Sequence, residues 1–153
     1  MPKLARYAAL LLAAAGCVLL VVAEFSTLYE IRVITVIQES TDGREHHGTA
    51  LLVIAVAAAF MAYGGILGGA RPAQFALLAL AVAALLVVLL IDYPDVNDEG
   101  FIGETFERAK ATPQTGFYLE SLGAVLLLLS AVSTLLLSPR DDGPPAGPEP
   151  DAA

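Results

Sequence analysis

The chain has 153 residues, 57% hydrophobic and only 16% charged, with a formal net charge of -8 and a mean hydropathy of +0.71. A soluble domain averages about 45–50% apolar and about 25% charged residues, so composition argues against a water-soluble globular fold. A chain this acidic also lacks the basic footprint that nucleic acid requires. Its single cysteine, Cys17, excludes an internal disulfide.

Lys3 and Arg6 precede the apolar run 7–23. Basic then apolar also describes a signal peptide, and Ala14-Ala15-Gly16-Cys17 resembles a lipobox. Ala14 stands where leucine is favoured, however, and the apolar run continues past Cys17. The pattern therefore predicts an uncleaved first membrane span over residues 7–25.

The first long loop, 24–48, contains the β-branched stretch 29–38, with Ile31, Val33, Thr35 and Ile37 on one face at period two. This predicts a short strand that packs on the helices or pairs with the other loop, since an exposed apolar strand would aggregate. Ser40, Thr41, Asp42 and Gly43 read as a turn. A second span, 49–70, and a third, 75–91, follow as a tight helical hairpin. Gly64, Gly65, Gly68 and Gly69 form overlapping small-xxx-small pairs there and predict close packing, foremost against the third span. The second loop, 92–115, is acidic, and residues 105–111 read as a short helix stopped by Pro113. A fourth span over 116–137 leads into a Pro- and Gly-rich tail, 139–153, expected to be disordered.

The fold class expected is thus an all-α membrane protein. Residues 1–138 form a four-transmembrane-helix bundle with a small extracytoplasmic cap that includes a short β-strand. Lys3, Arg6, Arg71 and Arg140 lie at the short ends, and Arg32, Arg44, Arg108 and Lys110 in the long loops. The counts tie, but the first set sits closer to the membrane, which places both termini and the hairpin in the cytoplasm of a bacterial plasma membrane. Shifting the chain by 68 residues lays the first span on the third, Lys3 on Arg71, Glu24 on Asp92 and Phe25 on Tyr93. That match suggests either duplicated halves or shared boundary chemistry.

Chemistry-bearing residues are few. Glu24, Asp92 and Glu120 all fall at the outer ends of spans and form the candidate outer acidic site. No charge lies near a bilayer midplane, which argues against proton-coupled transport and voltage sensing. Metal binding is weakly signalled. Asp95, Asn97, Glu99 and Gly100 start like a calcium loop, but Phe106 stands where the bidentate glutamate belongs. His46 and His47 are adjacent, a poor geometry for one ion. No cofactor, and no nucleophile–base pair that would make an enzyme, is visible.

Gly68-Gly69-Ala70-Arg71-Pro72, Gly116-Phe117-Tyr118-Leu119-Glu120 and Gly123-Ala124-Val125-Leu126-Leu127 resemble segments of small, Ala/Leu-rich four-span membrane proteins of actinobacteria. That resemblance implies the four-span fold and brings no activity with it. The functional expectation is a non-enzymatic structural or accessory membrane protein acting through helix faces or its outer cap. The alternative is a small oligomeric channel or transporter subunit with an acidic outer mouth. Expected partners are the lipid bilayer and either a second copy or another membrane protein.

Overall fold

A computed structural model describes residues 3–33, 36–96, 99–101 and 108–138. Among the described residues, four helices are long and apolar enough to cross a membrane. They are α1 (Lys3–Glu24), α3 (Ala50–Ala62, continued by a π-helical turn Tyr63–Leu67), α4 (Arg71–Val87, continued by a π-helical turn Val88–Asp92) and α6 (Thr115–Leu137). Between them stand β1 (Thr27–Val33), β2 (Val36–Asp42), the short helices α2 (Gly43–His47) and α5 (Tyr93–Val96), β3 (Glu99–Phe101) and β4 (Arg108–Pro113). The third long helix starts at Arg71, four residues earlier than expected, because proline fits the first helical turn, where its missing N–H costs nothing. The tail expected to be disordered, 139–153, lies outside the described residues.

The long helices form a square. α1 lies beside α6 and α3, α4 lies beside the same two, and α1 and α4 are diagonal. Each helix buries one narrow seam at alternating four- and three-residue spacing: Ala9, Ala13, Gly16 and Leu20 on α1; Leu51, Ala55, Ala58 and Ala62 on α3; Leu77, Ala81, Ala84 and Val88 on α4; Gly116, Glu120, Gly123, Leu127, Ser130 and Thr134 on α6. That spacing is the seam of left-handed helix packing. Its many alanines bring the helices close, the geometry used where no hydrophobic force acts between them.

The outer faces are as apolar as the seams, with Leu11, Val18, Val53, Val56, Leu86, Leu90, Leu122, Leu129 and Leu136 exposed. Such a surface would be untenable in water. The exposed aromatic side chains sit at the helix ends: Tyr7, Phe60, Tyr63 and Phe75 at one, Phe25, Tyr93 and Tyr118 at the other. Eighteen residues separate Tyr7 from Phe25 and Phe75 from Tyr93, about 27 Å along a helix. That is close to the roughly 30 Å of a hydrocarbon core, and aromatic rings at its two edges are the pattern of a membrane interface.

The two loops build one antiparallel sheet in the order β2-β1-β4-β3. The pairing of strands from both loops, β1 with β4, bears out the expected cross-loop contact. Two expectations fail here. Residues 29–38 are not one strand but parts of a hairpin in which Val33 pairs with Val36, and Ser40, Thr41 and Asp42 extend β2 instead of turning, because they find partners in Thr27, Tyr29 and Glu30. Likewise 108–111, expected to be helical, belong to β4, where pairing with both β1 and β3 overrides local helix preference. Residues 105–107 lie outside the described residues.

Candidate functional site: a buried acid cluster under the cap

The cap end of the bundle converges on carboxylates. Glu24 closes α1, Asp92 closes the π-turn that extends α4, and Glu120 stands in the second turn of α6. Their relative exposures are 1%, 0% and 0%. Sequence reading grouped these residues by their place along the spans; the fold puts them in one covered volume. Asp92 and Glu24 are the acidic groups that act on Glu120 electrostatically. Neither Glu120 oxygen has a hydrogen-bond donor among the described residues.

The lid over this volume is pinned by glycines. Gly43 opens α2 against the end of α1, where a Cβ would come 2.9 Å from the carbonyl oxygen of Ala23. Gly116 lies under β1, where a Cβ would stand 2.7 Å from the carbonyl oxygen of Thr27 and 2.9 Å from that of Ser26. Both contacts are with backbone, so neither position has room for a side chain. The Gln114 amide donates to the Leu28 carbonyl at 2.9 Å, and the Gln114 side chain to Glu30 Oε2 at 3.3 Å. Among the described residues, Leu28, Val96 and Ala111 are the buried apolar residues of the cap.

His46 sits at the rim. Its Nε2 is 3.2 Å from Asp95 Oδ2 and 3.6 Å from Asp92 Oδ1, and its ring meets the Tyr29 ring edge-on at 5.9 Å. Of the weak metal candidates the fold thus brings His46 and Asp95 together, while Glu99 lies in β3, His47 at the end of α2 and Asn97 outside the described residues. Among the described residues no group of three or more His, Cys, Asp or Glu is arranged to hold a metal ion.

At the opposite end, Gly64 and Gly65 do face the third helix. A Cβ on Gly64 would lie 3.4 Å from Ala73 Cβ, and one on Gly65 3.1 Å from Gln74 N. Gly68 and Gly69 do not pack against it. The chain is leaving the helix there, so Gly68 folds back on the Gly64 carbonyl and Gly69 makes the left-handed turn at φ 68°. Of the basic anchors, Arg6 donates through Nε to the Ile66 carbonyl at 2.8 Å and through Nη2 to that of Leu67. Lys3 and Arg71 are exposed at the same end, and Arg140 lies outside the described residues.

Sequence reasoning missed two features. Gln74 is buried, its amide donating to the Gly65 carbonyl and to Ser138 Oγ, each at 3.0 Å. The 68-residue shift that pairs Glu24 with Asp92 also pairs Arg6 with Gln74, and both side chains bind carbonyls of the same turn. The second is the α1–α6 seam. Small residues recur every seven positions, Ala9, Gly16 and Ala23 against Ser130, Gly123 and Gly116, running antiparallel. Ser130 Oγ donates to the Ala9 carbonyl at 2.7 Å, and a Cβ on Gly16 would come 2.9 Å from the Gly123 carbonyl.

Comparison with protein-family models, with curated proteins and with solved structures found no match to this chain.

Proposed function

We propose that the chain is a non-enzymatic, multi-pass membrane protein of accessory type that works through its outer cap. The observation that carries this reading is the construction of the cap: both loops contribute strands to one sheet, and Gly43 and Gly116 seat it without a gap on the helix ends. Such a cap offers a surface seated on the helix ends. The basic residues Lys3, Arg6 and Arg71 share the opposite end, which supports an orientation with the termini in the cytoplasm and the cap outside, in a bacterial plasma membrane.

The channel alternative needs an acidic mouth open to ions. Covered carboxylates at Glu24, Asp92 and Glu120 favour the accessory reading over it. The test is reconstitution in liposomes together with native mass measurement after gentle extraction. Cation flux no greater than in protein-free vesicles, with a stoichiometric partner retained by the intact protein, is the expected result. Flux that disappears in Asp92→Asn and Glu120→Gln would establish the channel instead.

A further inference from the structure

We infer that the cavity between the start of α4 and the end of α6 seats the phosphate headgroup of an anionic phospholipid. The cavity measures about 180 Å³ and is lined by Arg71, Gln74, Phe75, Leu135 and Ser138. It is smaller than the roughly 300–1,000 Å³ of sites that enclose a whole ligand. It therefore suits a headgroup whose chains lie outside it, along the apolar helix faces.

The lining is layered as an amphiphile is. Phe75 lies one turn further into the bundle along α4 than Arg71, and Leu135 about one turn deeper along α6 than Ser138. A cation and a hydroxyl thus form the outer layer, with apolar side chains roughly 5–6 Å below it. Phe75 is also one of the exposed rings at this edge of the hydrocarbon, so the polar layer falls at headgroup height.

The donors suit a phosphate. Arg71 is engaged elsewhere as well, but its guanidinium carries five N–H donors in a planar fork, enough to hold a second group. The Ser138 hydroxyl accepts from the buried Gln74 amide at 3.0 Å and donates to the Thr134 carbonyl at 2.6 Å. That carbonyl also accepts the Ser138 backbone N–H, so the hydroxyl proton can turn to a phosphate oxygen without leaving it bare. The start of α4 and the end of α6 stand side by side, so their partial charges offset and Arg71 supplies the net charge. Among the described residues every Asp and Glu lies on the cap side, while Lys3, Arg6 and Arg71 hold the opposite end. Arg6 is committed to the Ile66 and Leu67 carbonyls, and Lys3 stands on the diagonal helix. The site goes beyond the role given to the cap and rests only on the four helices lying in a bilayer.

The experiment is native mass measurement of the full chain in a neutral detergent, titrated with phosphatidylglycerol or with phosphatidylcholine of the same chains. One phosphatidylglycerol retained per chain, in preference to phosphatidylcholine, is the expected result. Arg71→Gln should weaken retention about tenfold or more, the worth of a charged hydrogen bond. Lys3→Gln should weaken it no more than about fivefold, the worth of one basic residue near an anionic surface. Leu135→Trp keeps every charge, fills the cavity and should also lose the lipid; it decides alone if Arg71→Gln fails to fold. Equal retention of the two lipids overturns the proposal, and so do equal losses in Arg71→Gln and Lys3→Gln, which mean diffuse attraction only. Displacement of the lipid by inorganic phosphate would make the cavity a site for the free anion instead. Selectivity that emerges only when Asp141→Asn and Asp142→Asn are combined would assign the cavity to the chain's own tail and overturn the lipid assignment.

Discussion

Replacing Gly16 by alanine tests the close contact between α1 and α6. The added Cβ would stand 2.8 Å from Leu127 Cγ, 2.9 Å from the Gly123 carbonyl oxygen and 3.0 Å from the Leu127 amide nitrogen. Two of these are backbone atoms that no rotamer change can move, so α1 and α6 must part along their shared seam. Overpacking of this kind costs about 1–3 kcal/mol. Alanine in a helix interior returns about 0.5–1 kcal/mol relative to glycine. The clash outweighs the gain, for a net loss of about 1–2 kcal/mol, or a rise of roughly 5–30-fold in the unfolded fraction. Gly64→Ala is the control, because its new Cβ would meet only Ala73 Cβ at 3.4 Å, an ordinary contact. Cys17, the sole cysteine and a buried one, provides the assay. Labelling by a bulky maleimide against temperature in detergent reports departure of α1 from the bundle. Gly16→Ala should lower the labelling midpoint and Gly64→Ala should not. Equal midpoints for Gly16→Ala and the native chain, or a larger drop for Gly64→Ala, would refute the packing argument.

Two further predictions use the same assay. Gly69→Ala should cost about 1–2 kcal/mol through the left-handed backbone alone, since a Cβ there meets nothing within 4 Å, and Gly69→Asn should recover most of it. Gln74→Leu should cost about 1–3 kcal/mol by leaving the Gly65 carbonyl and the Ser138 hydroxyl without their donor. Combined with Arg6→Leu, the losses should depart from additivity, because both side chains serve one turn of helix.

The spans were legible because hydrocarbon forces every backbone group to bond within its own helix, so long charge-free runs have one solution. The hairpin of β1 and β2 was not, since Val33 and Val36 flank a reversal with none of the glycine or asparagine that usually marks one. Clustered glycines draw the reading to 64–69, although Gly16 and Gly123, over a hundred residues apart, bring their helices closer than Gly64 and Gly65 bring the hairpin. Close approach depends on the register of two distant helices, and only the seven-residue recurrence of small side chains on each helix hints at it. Glu24, Asp92 and Glu120 could be grouped from their positions at span ends. Their burial could not, because it comes from the lid, and the lid is made of segments that read as loops.

The aromatic rings also fix how the acid cluster experiences an electric field. Glu24 and Asp92 directly precede Phe25 and Tyr93, so in a bilayer seated on the two rings the cluster lies at the cap-side edge of the hydrocarbon. A full membrane crossing is worth about 2.3 kcal/mol per charge per 100 mV. A charge arriving from the cap side traverses almost none of that drop. The carboxyls of the cluster are therefore nearly indifferent to membrane voltage, whereas the same groups three turns deeper would lie well inside the drop.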